Sequence, residues 1–453
     1  MSLSGESLLK LLRNKFSKVP DYRDPSRITF PLEDILMSAF AIFSLKIPSL
    51  LKYEEAVRQD IKGLSNLQTI YGVNQVPSDT RMREVLDELD PTSLRVGFTA
   101  IFAKLQRANK LKDFSYMNGK YLLSVDGSGY FDSDSIHCES CQRKVDKKNN
   151  SVRYHHQMLV ASIVHPEQKT VIPLCPEPLV KQDTKSIKNE SERNGMKRFL
   201  EDFRREHPKL ETILLADALH STGPLLKQLE EFEISYILSV KPGSHKSLFS
   251  ALDKWEKQHK VKHTQVSEVI GDKIKKTRTH QFRYANKILF NHSHLDTSTN
   301  VVDYVEITEW TSPKGEMKKT IKKFTWITDE KITQDNAMEI MRGGRTRWKI
   351  ENETLNTLKN QGYEFEHNYG HGYKNLSTVM AYIMMLVFLF DQSQEIACEH
   401  FRKALQERFG KRIRLWETLK SAYHWIPEVP GWTMLMRLVY EQDKVLKVEL
   451  NTS

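Results

Sequence analysis

Cysteine is scarce, with four residues in a chain of 453. So few thiols do not make a disulfide framework, and a reducing cytosol is the simplest setting. A secretory leader is missing too, because Lys10, Arg13 and Lys15 interrupt the apolar run that follows Ser7. No uninterrupted apolar stretch is long enough to span a bilayer; the longest, 379–390, reads as the core of a buried helix. Internal repeats and low-complexity linkers are also absent. These absences point to a soluble, intracellular protein with no membrane partner. Its length allows two or three domains with substantial cores. What is in excess is positive charge: Lys+Arg 68 against Asp+Glu 58 gives +10, which favours a polyanionic partner such as nucleic acid.

Residues 1–115 read as a helical region, with an apolar block over 35–45 and a charged, helically spaced segment over 78–105. It lacks a recognition-helix signature, so bracing is expected of it before DNA reading. From Tyr121 the texture changes to strands at 121–131, 154–165 and 170–174. A polar helix over 189–206, a buried-type strand over 211–217, a helix opened by Pro224 and a strand over 234–240 follow. That order suggests an α/β fold, a mixed sheet flanked by helices, first formed by residues 116–240. Residues 241–329 alternate apolar with polar and carry Lys273, Lys275, Lys276, Arg278 and Arg283. They read as an inserted antiparallel β subdomain, its basic face serving either solubility or phosphate contact. Helix returns over 330–395, where Gly343 and Gly344 are expected to break or kink it, and continues through a helical C-terminal region, 396–453.

Three acids stand out. Asp126 and Asp217 each end an apolar strand, and Glu351 lies on a later helix. On a regular wheel that helix places Trp348, Glu351, Leu355 and Leu358 on one apolar face, with Glu353 on the solvated side beside Lys349 and Asn356. A buried carboxylate needs a partner, either Arg347 one turn earlier or a metal ion. A strand-end aspartate alone is as readily a helix cap. Three carboxylates brought together repel one another unless a divalent cation holds them, which calls for Mg²⁺ or Mn²⁺. Two such ions activate an attacking hydroxyl and stabilise a leaving oxygen. The combination makes the Arg347–Glu351 salt bridge the lesser reading. Trp348 is expected to pack in the core rather than stack on a base.

The run from Val125 and Asp126 through Gly127, Ser128 and Gly129, the strand ending at Asp217, the β insertion and the stretch Arg347–Glu351 resemble the DDE transposases of bacterial insertion sequences. The branch is the one with a Tyr-Arg-Glu-Lys signature on its final helix, and the similarity covers roughly 115–395. Arg347 stands four before Glu351 as in that signature, whereas Gly344 occupies the Tyr position and Lys359 falls one residue past the Lys position, which is Leu358. The resemblance implies an RNase H-like core in which Asp126, Asp217 and Glu351 are catalytic and bind two Mg²⁺ or Mn²⁺ ions. It places Arg347 and Lys359 near the phosphates, with Lys241 a further candidate for DNA contact and Trp348 another in the lesser reading where the indole stacks on a base. It also implies double-stranded DNA partners (terminal inverted repeats and a target), a homodimer in the synaptic complex, and a bacterial, nucleoid-associated location. Such an enzyme cleaves transposon ends and joins their 3′-OH groups to target DNA. The alternatives are a metal-dependent nuclease without strand transfer and a transposase-derived DNA-binding protein. Retention of all three acids argues against the last.

A second constellation is Cys138 and Cys141, flanked by His137 and followed by His155 and His156. A structural Zn²⁺ on Cys138, Cys141, His137 and His155 is the candidate, set against two buried free thiols. Cys175 and Cys398 read as solitary core residues.

Overall fold

The computed structural model describes residues 3–58, 61–146, 148–149, 151–180, 190–272, 274–291 and 294–441. Lys273 and Asn189 lie outside them. Strands β1 (Tyr121–Ser133), β2 (Gln142–Asp146), β3 (Ser151–Val164), β4 (Ile172–Pro173), β5 (Glu177–Leu179), β6 (Thr212–Ala216) and β7 (Ser235–Ser239) come first. The later strands are β8 (Lys262–Ile270), β9 (Lys276–Asn291), β10 (His294–Thr311) and β11 (Met317–Thr328). All join one sheet in the order β2-β3-β1-β6-β7-β11-β10-β9-β8, with β4 and β5 also on β3. β3 runs antiparallel to β1, whereas β6 and β7 run parallel with it. This is the RNase H-like order that the resemblance implied: an antiparallel edge, β3, β1, then two parallel strands reached through helices.

The parallel strands are buried on both faces, as parallel strands must be, and all five residues of β6 are buried. The helix Glu192–Glu206 supplies part of the cover through Met196, Phe199, Leu200 and Phe203, its start capped by the Ser191 hydroxyl. The insertion is antiparallel as expected and joins the core sheet. β11 pairs antiparallel with β7, from Trp326 opposite Ser239 to Thr328 opposite Ile237, so its strands prolong the core sheet. The outer part of β11 is exposed and carries Lys318, Lys319, Lys322 and Lys323.

Gly343 and Gly344 do not break their helix, which runs Ala337–Thr346. A Cβ on Gly344 would lie 2.6 Å from the indole nitrogen of Trp326. Glycine there lets the helix settle on the Trp326 side chain of β11, where any larger residue would clash.

The helix Leu376–Ala397 is long and apolar enough to cross a membrane, but 94% of its most apolar window is buried inside the protein. The N-terminal helices and those after residue 398 share one hydrophobic core with it. Its start is held by the N-terminal region: the Asp87 carboxylate accepts the backbone N–H groups of Tyr373, Lys374, Asn375 and Leu376 at 2.8–3.0 Å. Two of these donors, Asn375 and Leu376, are the N-cap and first residue of the helix, and the other two belong to the turn that leads into it. The wrap requires Gly372, at φ +68 and against the Asp87 carboxylate. Asp87→Ala is expected to cost about 2 kcal/mol in urea unfolding; a loss under about 0.5 kcal/mol would mean that solvent satisfies those donors.

Candidate active site

On β1 the residues Leu122, Ser124, Asp126 and Ser128 alternate onto one face. Ser124 donates from Oγ to the carbonyl of Arg347 (3.1 Å), and Ser162, opposite Ser124 on β3, shares a hydrogen bond with Thr354 (3.1 Å). The segment carrying Glu351 is thereby laid across the face that presents Asp126. That segment is irregular: after Thr346 the chain turns at Arg347 and Trp348, and Ile350–Leu355 is a π-helix. Extra residues per turn shift the phase of everything around it.

The regular wheel fails here. Ile350, Thr354, Leu355, Thr357 and Leu358 form the buried stripe, the two leucines as expected, together with Lys349, whose ammonium donates to the Gln168 carbonyl. Trp348 is 47% exposed, which corrects the expected core packing. Glu351 is exposed and Glu353 half-buried, the reverse of the expected arrangement. The threonines are what the wheel misjudged. Thr346 donates to the Arg342 carbonyl at 2.7 Å and Thr354 shares a hydrogen bond with Ser162, so these two are buried at little polar cost, whereas the buried Thr357 hydroxyl has no hydrogen-bond partner among the described residues.

Arg347 stands between two of the acids, 2.6 Å from Glu351 and 3.6 Å from Asp126. The salt bridge that was the lesser reading is therefore formed. It is not an isolated pair, because the same guanidinium also faces Asp126. β6 runs beside β1 with Ser124 opposite Leu215. Carrying that register two residues on sets Asp126 opposite Asp217; Asp217 lies just past the end of β6, whereas Asp126 sits within β1, which runs on to Ser133 and does not end at the acid as expected. The Asp217 loop is fixed: Oδ1 accepts the Leu219 N–H (2.9 Å), Ser221 donates to the Ser239 carbonyl (2.7 Å), and His245 bonds the Ser221 carbonyl (2.9 Å).

Burial pushes the Asp126 carboxyl above its usual range; Arg347 pulls it back, and the charges of Glu351 and Asp217 both raise it. Asp126 thus feels both other acids, although the three do not form a closed cage of ligand atoms. The side chains expected on DNA are dispersed. Lys359 pairs with Glu366 at 2.6 Å, and Lys241 lies exposed just past β7. Glu192 was not foreseen at all. Its carboxylate lies where a Cβ on Gly127 would be, 2.6 Å away, and 3.7 Å from buried His220.

A model of the family described as "Transposase DDE domain" matches residues 127–389, more than half of the chain. The chain belongs to the DDE transposase family. The matched span of this transposase takes in Asp217 and Glu351 and begins one residue after Asp126. Among solved structures, it is similar to the piggyBac transposase synaptic complex with hairpin DNA, determined by cryo-EM. The identity is 12% and the TM-score 0.39, covering 98% of this chain and 83% of that one. Comparison with curated protein sequences returns no match.

Among the described residues, the group of His, Cys, Asp or Glu side chains whose ligand atoms all lie within 4.8 Å of one another is elsewhere in the transposase: Cys138, Cys141, His156 and His371. The expected histidines are not in it. His137 is exposed, stacks on Tyr154 at 4.3 Å and contacts the Ser135 carbonyl, and His155 is half-buried on the opposite side of β3 from His156.

Proposed function

We propose that the transposase cleaves the ends of a DNA element and joins the exposed 3′-OH groups to target DNA, with Asp126, Asp217 and Glu351 as its catalytic acids. The observation that supports this reading is the β1–β6 register, which carried two residues on sets Asp126, within β1, opposite Asp217, just past β6, with Glu351 reached through Arg347. The donor set fits hard divalent cations: it is all oxygen, and burial together with two neighbouring acids makes ionisation of Asp126 costly without added positive charge. Mg²⁺ or Mn²⁺ held there would supply activation of the attacking hydroxyl and stabilisation of the leaving oxygen.

The residues of the chain do the rest. Arg347 neutralises Asp126 and Glu351 and offers a planar donor fork to a phosphate entering beside them. Trp348, its indole open to solvent next to Arg347, offers a face on which a base can stack. Lys318, Lys319, Lys322 and Lys323 on the exposed end of β11 extend a positive surface for the backbone of the duplex. Lys241 and Lys359 belong to the same DNA-facing set in this reading, Lys359 exchanging Glu366 for phosphate.

The test is incubation with Mg²⁺ and a duplex that carries the element's terminal repeats. Joined strand-transfer product is the expected result. Nicking without joining would replace the proposal with a nuclease, and a mobility shift without cleavage would leave only a DNA-binding protein. Cross-linking in the presence of paired ends checks the homodimer that synapsis requires.

A further inference from the structure

We propose that Cys138, Cys141, His156 and His371 hold one structural zinc ion. The two thiols belong to the link between β1 and β2, His156 to β3, and His371 to the loop that precedes the Leu376–Ala397 helix. Fold, not sequence proximity, brings them together. Cys141, His156 and His371 are buried, Cys138 half-buried, and none of the sulfurs is in a disulfide.

The spacing is that of ligands around a tetrahedral ion. With sulfur at about 2.3 Å and imidazole nitrogen at about 2.0–2.1 Å from zinc, tetrahedral angles separate two sulfurs by about 3.8 Å and sulfur from nitrogen by about 3.5–3.6 Å. The two Sγ atoms are 3.8 Å apart. His156 Nε2 lies 3.4 Å from Cys138 Sγ and 3.3 Å from Cys141 Sγ, and His371 Nε2 lies 3.5 Å from Cys141 Sγ.

The surroundings aim the ligands. The Cys138 N–H points at Cys141 Sγ (3.4 Å), and the Cys141 N–H closes a turn on the Cys138 carbonyl (3.2 Å). The rings are clamped by aromatic stacking: His156 on Tyr130 at 5.6 Å, His371 on Phe131 at 4.1 Å. Each ring turns Nε2 towards the sulfurs and keeps Nδ1 out of the cluster, as single-point ligation through Nε2 requires. Two thiolates and two imidazoles form a borderline-soft, closed set that selects zinc over hard cations and leaves no position for substrate. The ion would tie the far end of β1, the strand of Asp126, to the loop that follows the Glu351 segment. The proposal stands whether or not those acids are catalytic.

Metal analysis of the full-length protein, purified without chelators after growth in zinc-supplemented medium, tests it. About one zinc per chain is expected, and Co²⁺ exchanged into the wild-type protein should give the visible absorption of a tetrahedral site with thiolate ligands. Cys138→Ser and His371→Ala should lose the metal, whereas His137→Ala and His155→Ala should retain it. Removal of zinc by a strong chelator should lower the thermal midpoint and open the 134–141 link to protease. Wild-type protein without zinc, full retention in His371→Ala, or a Cys138–Cys141 disulfide found by mass spectrometry would overturn the proposal. The cobalt spectrum needs no variant, so a mutant that fails to fold does not decide the matter.

Discussion

Asp126→Ala, Asp217→Ala and Glu351→Ala are each expected to lower strand cleavage by about 10³-fold or more while retaining the DNA mobility shift, because each removes negative charge and oxygen donors needed at the reacting phosphate. Asp126 carries a further signature. Burial, reinforced by Glu351 and Asp217, raises its pKa in the folded state despite Arg347. A raised pKa means that the folded protein holds the proton more tightly than the unfolded chain does. The stability so gained is fully present below the unfolded carboxylate pKa of about 3.9 and is lost as pH rises through the folded value. Asp126→Asn, neutral at every pH, should therefore gain in thermal midpoint relative to wild type as pH rises from about 4 to neutrality. It should still be inactive. A wild-type-to-Asn difference that stays constant across that range would show Asp126 to be an ordinary exposed acid, and full cleavage by any of the three alanine variants would remove that residue from the site.

The strands that carry Asp126 and Asp217 were legible because a buried parallel strand leaves an unbroken apolar run, and an acid after one is conspicuous; Asp217 does follow the end of β6, but β1 continues past Asp126 to Ser133. The partnership of those strands was not written in either run; it comes from the β1–β6 register. Glu351 was found for a reason that the structure overturns. The wheel made it a buried acid, whereas a turn and a π-helix rotate it outward and bury Ile350 and Thr354. Hydroxyl residues that satisfy themselves locally look polar in sequence and behave as apolar in a helix face. Cys138 and Cys141 announced themselves by spacing, but the neighbouring histidines misled: strand alternation turns His156 in and His155 away. His371, brought from a distant loop, left no local signal. The alternating pattern of the insertion correctly suggested antiparallel strands, yet only the β7–β11 pairing shows that they extend the core sheet rather than form a body of their own.

Breaking the buried pair between Lys46 and Asp391 should be the most destabilising change outside the catalytic acids. Lys46 follows the helix Leu32–Ser44, and Asp391 lies on the Leu376–Ala397 helix, so the pair ties the N-terminal region to the central helix. Their nitrogen and oxygen are 2.8 Å apart with side chains only 6% and 2% exposed. Tyr363 donates to the same carboxylate oxygen at 2.6 Å, and Lys46 sits 4.0 Å over the Tyr363 ring and 4.3 Å over Trp416. Burial pushes the lysine pKa down and the aspartate pKa up, each towards its neutral form, while each partner opposes that drift in the other. Removing Asp391 leaves the lysine without its counter-charge in a dry site, and removing Lys46 leaves Asp391 with only the Tyr363 hydroxyl and the Arg412 charge to set against its burial. Asp391→Ala or Lys46→Met should each cost about 3–5 kcal/mol in urea unfolding. Removing both with apolar replacements, Lys46→Met together with Asp391→Leu, should recover most of that loss, because two desolvation penalties disappear with the one attraction. Tyr363→Phe alone should cost about 1 kcal/mol, the net value of a hydrogen bond. If the double variant proved as unstable as the sum of the singles, the helices would be held together by packing volume at these positions and not by charge compensation.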